Sequence, residues 1–212
     1  MTMHLIIGNK NYSSWSFRPW LAMKVAGIEF EETVISLDAS DFKARVTVPS
    51  GSGRVPVLID GEVQIWESLA ILEYLAEKFP AARLWPKDAA ARARARAIAS
   101  EMHAGFLPLR RQLPMNVARP VTKRMLDDGA AANAGRIDAI WSQCRSTFGG
   151  DGPFLFGAFG AADAMYAPVA TRFRTYGIDL ADYGDDGEAQ DYAQAILAMP
   201  EMEEWGAGAA RG

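Results

Sequence analysis

The chain has 212 residues, a net charge of −4, 50% hydrophobic and 23% charged residues. That is enough for one or two domains with a real core, and the mild acidity argues against a nucleic-acid partner. Cys144 is the only cysteine and His4 and His103 the only histidines, which excludes an internal disulfide and argues against a metal cage. No apolar run reaches the roughly 20 residues a membrane helix needs. The opening Met-Thr-Met-His-Leu-Ile-Ile-Gly has no basic segment or cleavage site of a secretory leader, so a cytoplasmic protein that does not engage membranes is expected.

Residues 3–8 read as a short buried strand and 9–14 as a polar loop. A helix follows over about 16–26, with Ser16 as its cap, Pro19 in its first turn and Gly27 as its stop. Residues 30–37 alternate as a second strand, and 38–53 read as irregular. Val55 to Ile59 is a β-prone run, Asp60-Gly61 a hairpin turn, and Val63 and Ile65 alternate with polar neighbours. After Trp66 the apolar spacing turns helical, through Leu69, Leu72 and Leu75.

From residue 81 the composition changes, and strand signals nearly vanish after 89. Helices are expected over 89–115, with Pro108 and Pro114 kinking or ending it, and over 122–148. A third spans 161–176, is apolar almost all round and hence buried, and is bent or ended by Pro168. A last amphipathic helix covers 188–199, and the tail from Trp205 to Gly212 is expected to fray.

The chemically suggestive stretch is Arg54 to Tyr74. Pro56 stands where a strand begins, and a backbone bent there leaves peptide groups free for a ligand. Glu67 and Ser68 open the helix beyond the hairpin, and free N–H groups with a positive dipole end make such a tip favourable for a carboxylate.

Four segments resemble the cytosolic glutathione transferases: Arg54-Val55-Pro56-Val57-Leu58, the run from Trp66 to Leu75, Phe154-Leu155-Phe156-Gly157 with Ala162-Asp163, and the loop Tyr12-Ser13-Ser14-Trp15-Ser16-Phe17-Arg18. The last is similar to the serine-type loops of the theta, delta and zeta groups and suggests a bacterial branch near them. The resemblance covers essentially the whole chain. It implies an α+β protein: a thioredoxin-like α/β domain over 1–80, a linker at 81–87 and an all-helical bundle over 88–212.

It further implies a cis peptide before Pro56, with the Val55 backbone pairing with the cysteinyl unit of glutathione as an added strand. Glu67 would hold the γ-glutamyl ammonium, Ser68 the neighbouring carboxylate, and Arg54 the glycine end. Ser14, four residues before Arg18, ranks first as the hydroxyl that meets the thiol, and Ser13 second. A free thiol ionises near pH 8.5, so lowering its pKa by about two units takes roughly 2.7 kcal/mol of selective thiolate stabilisation. The Ser13–Ser14 loop has no cysteine, which disfavours thiol–disulfide exchange. In the folding motif Gly160 replaces the usual Ser or Thr cap, so Asp163 bonding back to the cap amide would give half a capping box.

The second domain is expected to supply an apolar pocket for a small electrophile from Met102, His103, Phe106 and Tyr166, with Trp15 as core or pocket wall. The function implied is conjugation of glutathione to that electrophile in detoxification, by a homodimer, with glutathione as co-substrate and no metal. Two alternatives stay open: a zeta-like isomerase of a dicarboxylate, which needs cations in the second pocket, and a non-catalytic module with the same fold. Each residue also has a plain reading: Pro56 as an edge-strand proline, Glu67-Ser68 as a helix cap, Ser13 and Ser14 as turn formers, Arg54 as a surface cation, His103 as a packing histidine.

Overall fold

The computed structural model describes residues 2–210. In chain order the elements are β1 (Met3–Gly8), α1 (Ser14–Val25), β2 (Phe30–Ile35), α2 (Phe42–Ser50), β3 (Val57–Asp60), β4 (Val63–Trp66), α3 (Ser68–Lys78), α4 (Ala89–Ala104), α5 (Leu107–Gln112), α6 (Asp128–Cys144), α7 (Ala161–Thr175), α8 (Glu188–Leu197) and α9 (Pro200–Ala209). All described strands lie before residue 67, so an α/β unit precedes an all-helical one, as the sequence implies.

The sheet runs β2-β1-β3-β4. β1 pairs parallel with β2 across the α1 crossover, then antiparallel with β3, and β3 folds back on β4 through Gly61 at φ 62°. Met3, Leu5 and Ile7 of β1 enter the main core with α1 and α3, while Ile6 packs on the other face with Ile35, Val46 and Val57.

That second face explains a difference from the sequence reading. Residues 38–53 contain α2, not an irregular loop, and Val46 is fully buried, alone among the residues of α2 whose burial is described. One buried position gives no apolar periodicity, and Pro49 falls in the last turn. α1 begins two residues earlier than expected, so Pro19 sits in its second turn and offers no N–H to the Trp15 carbonyl. The long helix over 89–115 is two helices. They divide at Gly105 and at Phe106, which is left-handed at φ 59°, and Pro108 falls in the first turn of α5, where a missing N–H costs nothing.

α6 is shorter than expected, because Thr122 and Arg124 donate their amides to the Thr175 and Tyr176 carbonyls, and the helix waits for the Asp127 cap. α7 runs through Pro168 unbroken and is buried almost throughout, with only Arg174 exposed among its residues. Asp163 accepts from the Leu155 amide at 3.1 Å and the Gly160 amide at 2.8 Å, the half capping box expected there. The tail is also ordered up to Ala209: α9 opens on Pro200 and buries Met202, Trp205 and Ala209. Arg211 and Gly212, the end of that expected tail, lie outside the described residues.

Candidate functional site

β3 and β4 are joined only from Val57, so Val55 stands two residues beyond the ladder, and the Val55–Pro56 peptide is cis. β4 ends at Trp66, and Glu67 turns the chain into α3 with φ 69° and ψ 124°, a left-handed backbone for a residue with a side chain. Such strain costs of order 1–3 kcal/mol and persists where a site requires it. It carries the Glu67 side chain away from the first turn of α3, where it makes no capping bond. The first intrahelical bond runs from the Ile71 amide to the Glu67 carbonyl. The Ser68, Leu69 and Ala70 amides are thus the donors a helix start leaves over for an anion.

These segments meet in one cleft of about 470 Å³, lined by Trp15, Ser52, Arg54, Val55, Pro56, Trp66, Glu67, His103 and Ala104. The expected Arg54, Val55, Pro56, Glu67, Trp15 and His103 are therefore brought together, although they come from α1, the approach to β3, the β4–α3 junction and α4. Ser68 is adjacent but fully buried, its hydroxyl 3.9 Å from Met165 Sδ, so its side chain faces the helical domain and its amide remains for a ligand.

The two loop serines differ. Ser13, not Ser16, caps α1: its Oγ accepts weakly from the Ser16 amide at 3.4 Å and donates to Ser16 Oγ at 2.7 Å. Ser16 Oγ in turn accepts from the Gly8 amide. Ser14 is buried, and its Oγ accepts from Arg172 Nη2 at 3.2 Å.

Three of the expected second-substrate residues do not line the cleft. Met102 is fully buried on the core face of α4, and Phe106 is buried at the left-handed turn before α5. Tyr166 is buried in α7 and donates to the Ile98 carbonyl at 3.1 Å, its ionisation suppressed chiefly by burial. All three belong to the main core, Tyr166 tying α7 to α4, and spacing along one helix does not show which partner a face meets.

The sequence reading also missed what stands behind Trp15. Arg18 and Arg110 each place a guanidinium carbon 4.2 Å from the Trp15 ring centroid. Arg18 is fully buried, and its Nε, Nη1 and Nη2 make no hydrogen bond in the described structure. Burial, then Arg110, then Arg172 press it toward losing its proton, and burial followed by Arg110 does the same to Arg172. None of Arg18, Arg110 and Arg172 forms an ion pair among the described residues. The only local signal was the arginine four positions after Ser14; Arg110 and Arg172 come from elements remote in sequence.

His103 closes the other side of the cleft, its ring edge-on to Trp15 and its Nε2 3.7 Å from Glu67 Oε2. Burial holds its pKa below the ordinary histidine value, helped by Arg18 and Arg110 and opposed by Glu67. At neutral pH it is therefore uncharged, and the Glu67 carboxylate is not neutralised by it. Cys144 lies buried in α6, and burial pushes its thiol up to about 11, so it supplies no thiolate. Among the described residues no cluster of His, Cys, Asp and Glu could hold a metal ion.

The family models for the N-terminal and C-terminal domains of glutathione S-transferase match residues 12–78 and 120–195. A maleylacetoacetate isomerase of Rattus norvegicus is 30% identical over 181 residues, covering 81% of this chain and 79% of that protein. The chain belongs to the glutathione S-transferase family. A probable maleylacetoacetate isomerase of Caenorhabditis elegans is 38% identical over 98 residues, and there the match spans about half of each protein, 46% of this chain and 45% of the relative. The crystal structure of a maleylacetoacetate isomerase from Anaeromyxobacter dehalogenans, with glutathione bound in its active site, superposes with TM-score 0.67 at 26% identity, over 96% of this chain and 94% of that one.

Proposed function

We propose that this glutathione S-transferase family member binds glutathione in the cleft between Val55–Pro56 and Glu67 and ionises its thiol for attack on a small electrophile. The observation that carries the reading is the convergence of Arg54, Val55, Pro56 and Glu67 on one cavity. The Val55 backbone, beyond the last strand pair, would take the cysteinyl peptide as an added strand. Glu67 would hold the ammonium, the first amides of α3 the adjacent carboxylate, and Arg54 the glycine carboxylate. Ser14 or Ser13 would donate to the sulfur at the start of α1, where the dipole also favours a thiolate. The electrophile would meet Trp15, Trp66 and His103. Residues 1–80 act as the glutathione domain, 81–87 as linker and 88–212 as the helical domain of a cytoplasmic homodimer.

Isothermal calorimetry with glutathione, followed by thiolate absorbance against pH in wild type and Ser14→Ala, tests this reading. Micromolar to millimolar binding with a thiol pKa at least one unit below its free value is expected. No heat of binding would leave only a module with this fold.

One observation favours a second reading, the zeta-like isomerase. Cations near the second substrate are what an acidic substrate needs, and Arg18 and Arg110 gather behind Trp15 with no ion pair among the described residues. A panel that pairs neutral electrophiles with unsaturated carboxylic acids separates the two: preferential turnover of the acids favours isomerisation, and turnover of the neutral compounds alone favours conjugation.

A further inference from the structure

Ser13 and Ser14 differ in what their hydroxyls can still do. The Ser13 proton is engaged on Ser16 Oγ at 2.7 Å. Ser14 Oγ accepts from Arg172 Nη2 at 3.2 Å, a contact that links α1 to α7 across 158 positions of sequence. With an arginine donor on its oxygen, Ser14 keeps its own single proton for an acceptor other than Arg172. Polarisation by a charged donor also makes that proton a better one.

Arg172 is itself fixed. Its Nε donates to the Leu113 carbonyl at 2.8 Å and its Nη1 to the Pro168 carbonyl at 3.4 Å, so the guanidinium is clamped by two backbone oxygens and points its remaining nitrogen at Ser14. It is 4% exposed. The cations around it, Arg110 and Arg18, bring no carboxylate among the described residues that would draw Nη2 away.

We propose that Arg172 is a positioning residue for thiol activation: clamped by Leu113 and Pro168, it holds the Ser14 oxygen so that the serine proton is presented to the sulfur of bound glutathione. This rests on the glutathione reading above and deepens it. In the step itself the thiol S–H bond breaks, its proton passes to solvent water, and the sulfur keeps the electron pair and accepts the Ser14 O–H. Arg172 touches neither glutathione nor the reacting atoms. It selects Ser14 over Ser13, the order that the spacing to Arg18 also gives.

The test is a double-mutant cycle read on thiol ionisation, not on activity. Thiolate absorbance of bound glutathione is titrated against pH in wild type, Ser14→Ala, Arg172→Gln and the double variant, each saturated with glutathione at a concentration set by calorimetry. Arg172→Gln is expected to raise the thiol pKa by about one unit, a tenfold smaller thiolate-to-thiol ratio at any given pH. Ser14→Ala should raise it at least as far, and the double variant no further than Ser14→Ala alone. Should Arg172→Gln fail to fold, Arg172→Lys carries the comparison, since it keeps a charge and loses the fork; a rise smaller than that of Ser14→Ala is expected. A folded Arg172 variant whose titration superposes on wild type, or a double variant whose shift is the sum of the singles, overturns the proposal. Wild-type protein that does not bind glutathione removes the functional reading with it; intact binding and ionisation with an Arg172-independent titration removes only the role of Arg172.

Discussion

The indole of Trp15 and the imidazole of His103 meet edge to face, 5.2 Å between ring centroids and 72° between planes. One belongs to the α/β unit and the other to α4, so the pair ties the two halves together at the cleft. Burial, with the charges of Arg18 and Arg110 beside it and Glu67 opposing, lowers the His103 pKa from its ordinary value.

A pH dependence of ligand binding follows. His103 has a lowered folded pKa, so the stability it contributes is present above its ordinary 6.5 and is lost as pH falls. On protonation its Nε2, 3.7 Å from Glu67 Oε2, competes for the carboxylate that is to hold the ligand ammonium. Affinity for S-methylglutathione, which has no ionisable thiol, is expected to be flat from pH 8 to about 6.5 and to weaken several-fold by pH 5. In His103→Gln the acid loss should shrink. Calorimetry across the range decides, and equal slopes in the two proteins would refute the competition.

Glu67 sits at φ 69° with no bond that caps α3. Glycine adopts that backbone freely, so Glu67→Gly should leave stability unchanged or raise it by up to about 1 kcal/mol in urea unfolding. The same change removes the carboxylate opposite the ligand ammonium, and a charged hydrogen bond is worth about 1.5–3 kcal/mol. Glutathione affinity should therefore fall at least tenfold. Glu67→Gln should lose affinity with no gain in stability. A glycine variant that binds normally and unfolds more easily would contradict both halves.

Asp163 is fully buried and accepts from the Leu155 and Gly160 amides, and burial pushes its carboxyl from 3.8 up to about 6. A raised folded pKa means the folded protein holds the proton more tightly than the unfolded chain. The corresponding stability is complete below about pH 4 and is lost as pH rises through 6. The difference amounts to about 3 kcal/mol at most. Asp163→Asn does not titrate, so the stability gap between it and wild type should move in favour of the asparagine between pH 4 and 6.5. Asp163→Ala abandons both amides and should be less stable than wild type by about 1–3 kcal/mol for each amide left unpaired. Urea unfolding at pH 4, 5.5 and 7 measures all three; parallel pH profiles for wild type and Asp163→Asn would count against the buried titration.

What the sequence displayed well was local. The Val55–Pro56 bend, the Asp60–Gly61 turn and the Glu67–Ser68 helix start are contiguous, so their backbone geometry follows from neighbours along the chain. Asp163 and Gly160 are also close in sequence, and their bond was foreseeable. The elements misread were those whose evidence lies elsewhere in the fold. α2 meets Ile6, Ile35 and Val57 through buried Val46 and half-buried Phe42, too few positions to leave a periodic trace. The two arginines against Trp15 come from α1 and α5, and Arg172, whose charge also reaches Arg18, comes from α7; only packing reveals that they meet. Met102 and Tyr166 look like pocket residues on their helices and prove to be core, with Tyr166 bonded across to the Ile98 carbonyl of α4.

The C-terminal helix shows the same dependence on distant contacts and yields the last expectation. Small residues suggest fraying after Trp205, yet that ring is fully buried, its centroid 4.7 Å from Phe17 and 5.0 Å from Trp20 on α1. α9 therefore braces the helix that carries Ser14 and Trp15. Trp205→Ala should cost about 3–5 kcal/mol in urea unfolding, the range for emptying an aromatic site in a core. Glu204→Ala, which removes only the half-exposed pair with Lys24 at 2.8 Å, should cost less than about 1 kcal/mol. Glutathione affinity should weaken in the tryptophan variant and hold in the glutamate variant, because only the former loosens α1. If Trp205→Ala unfolds like wild type, the tail is peripheral after all, and α1 is held in place by its contacts with α3 and α7 instead.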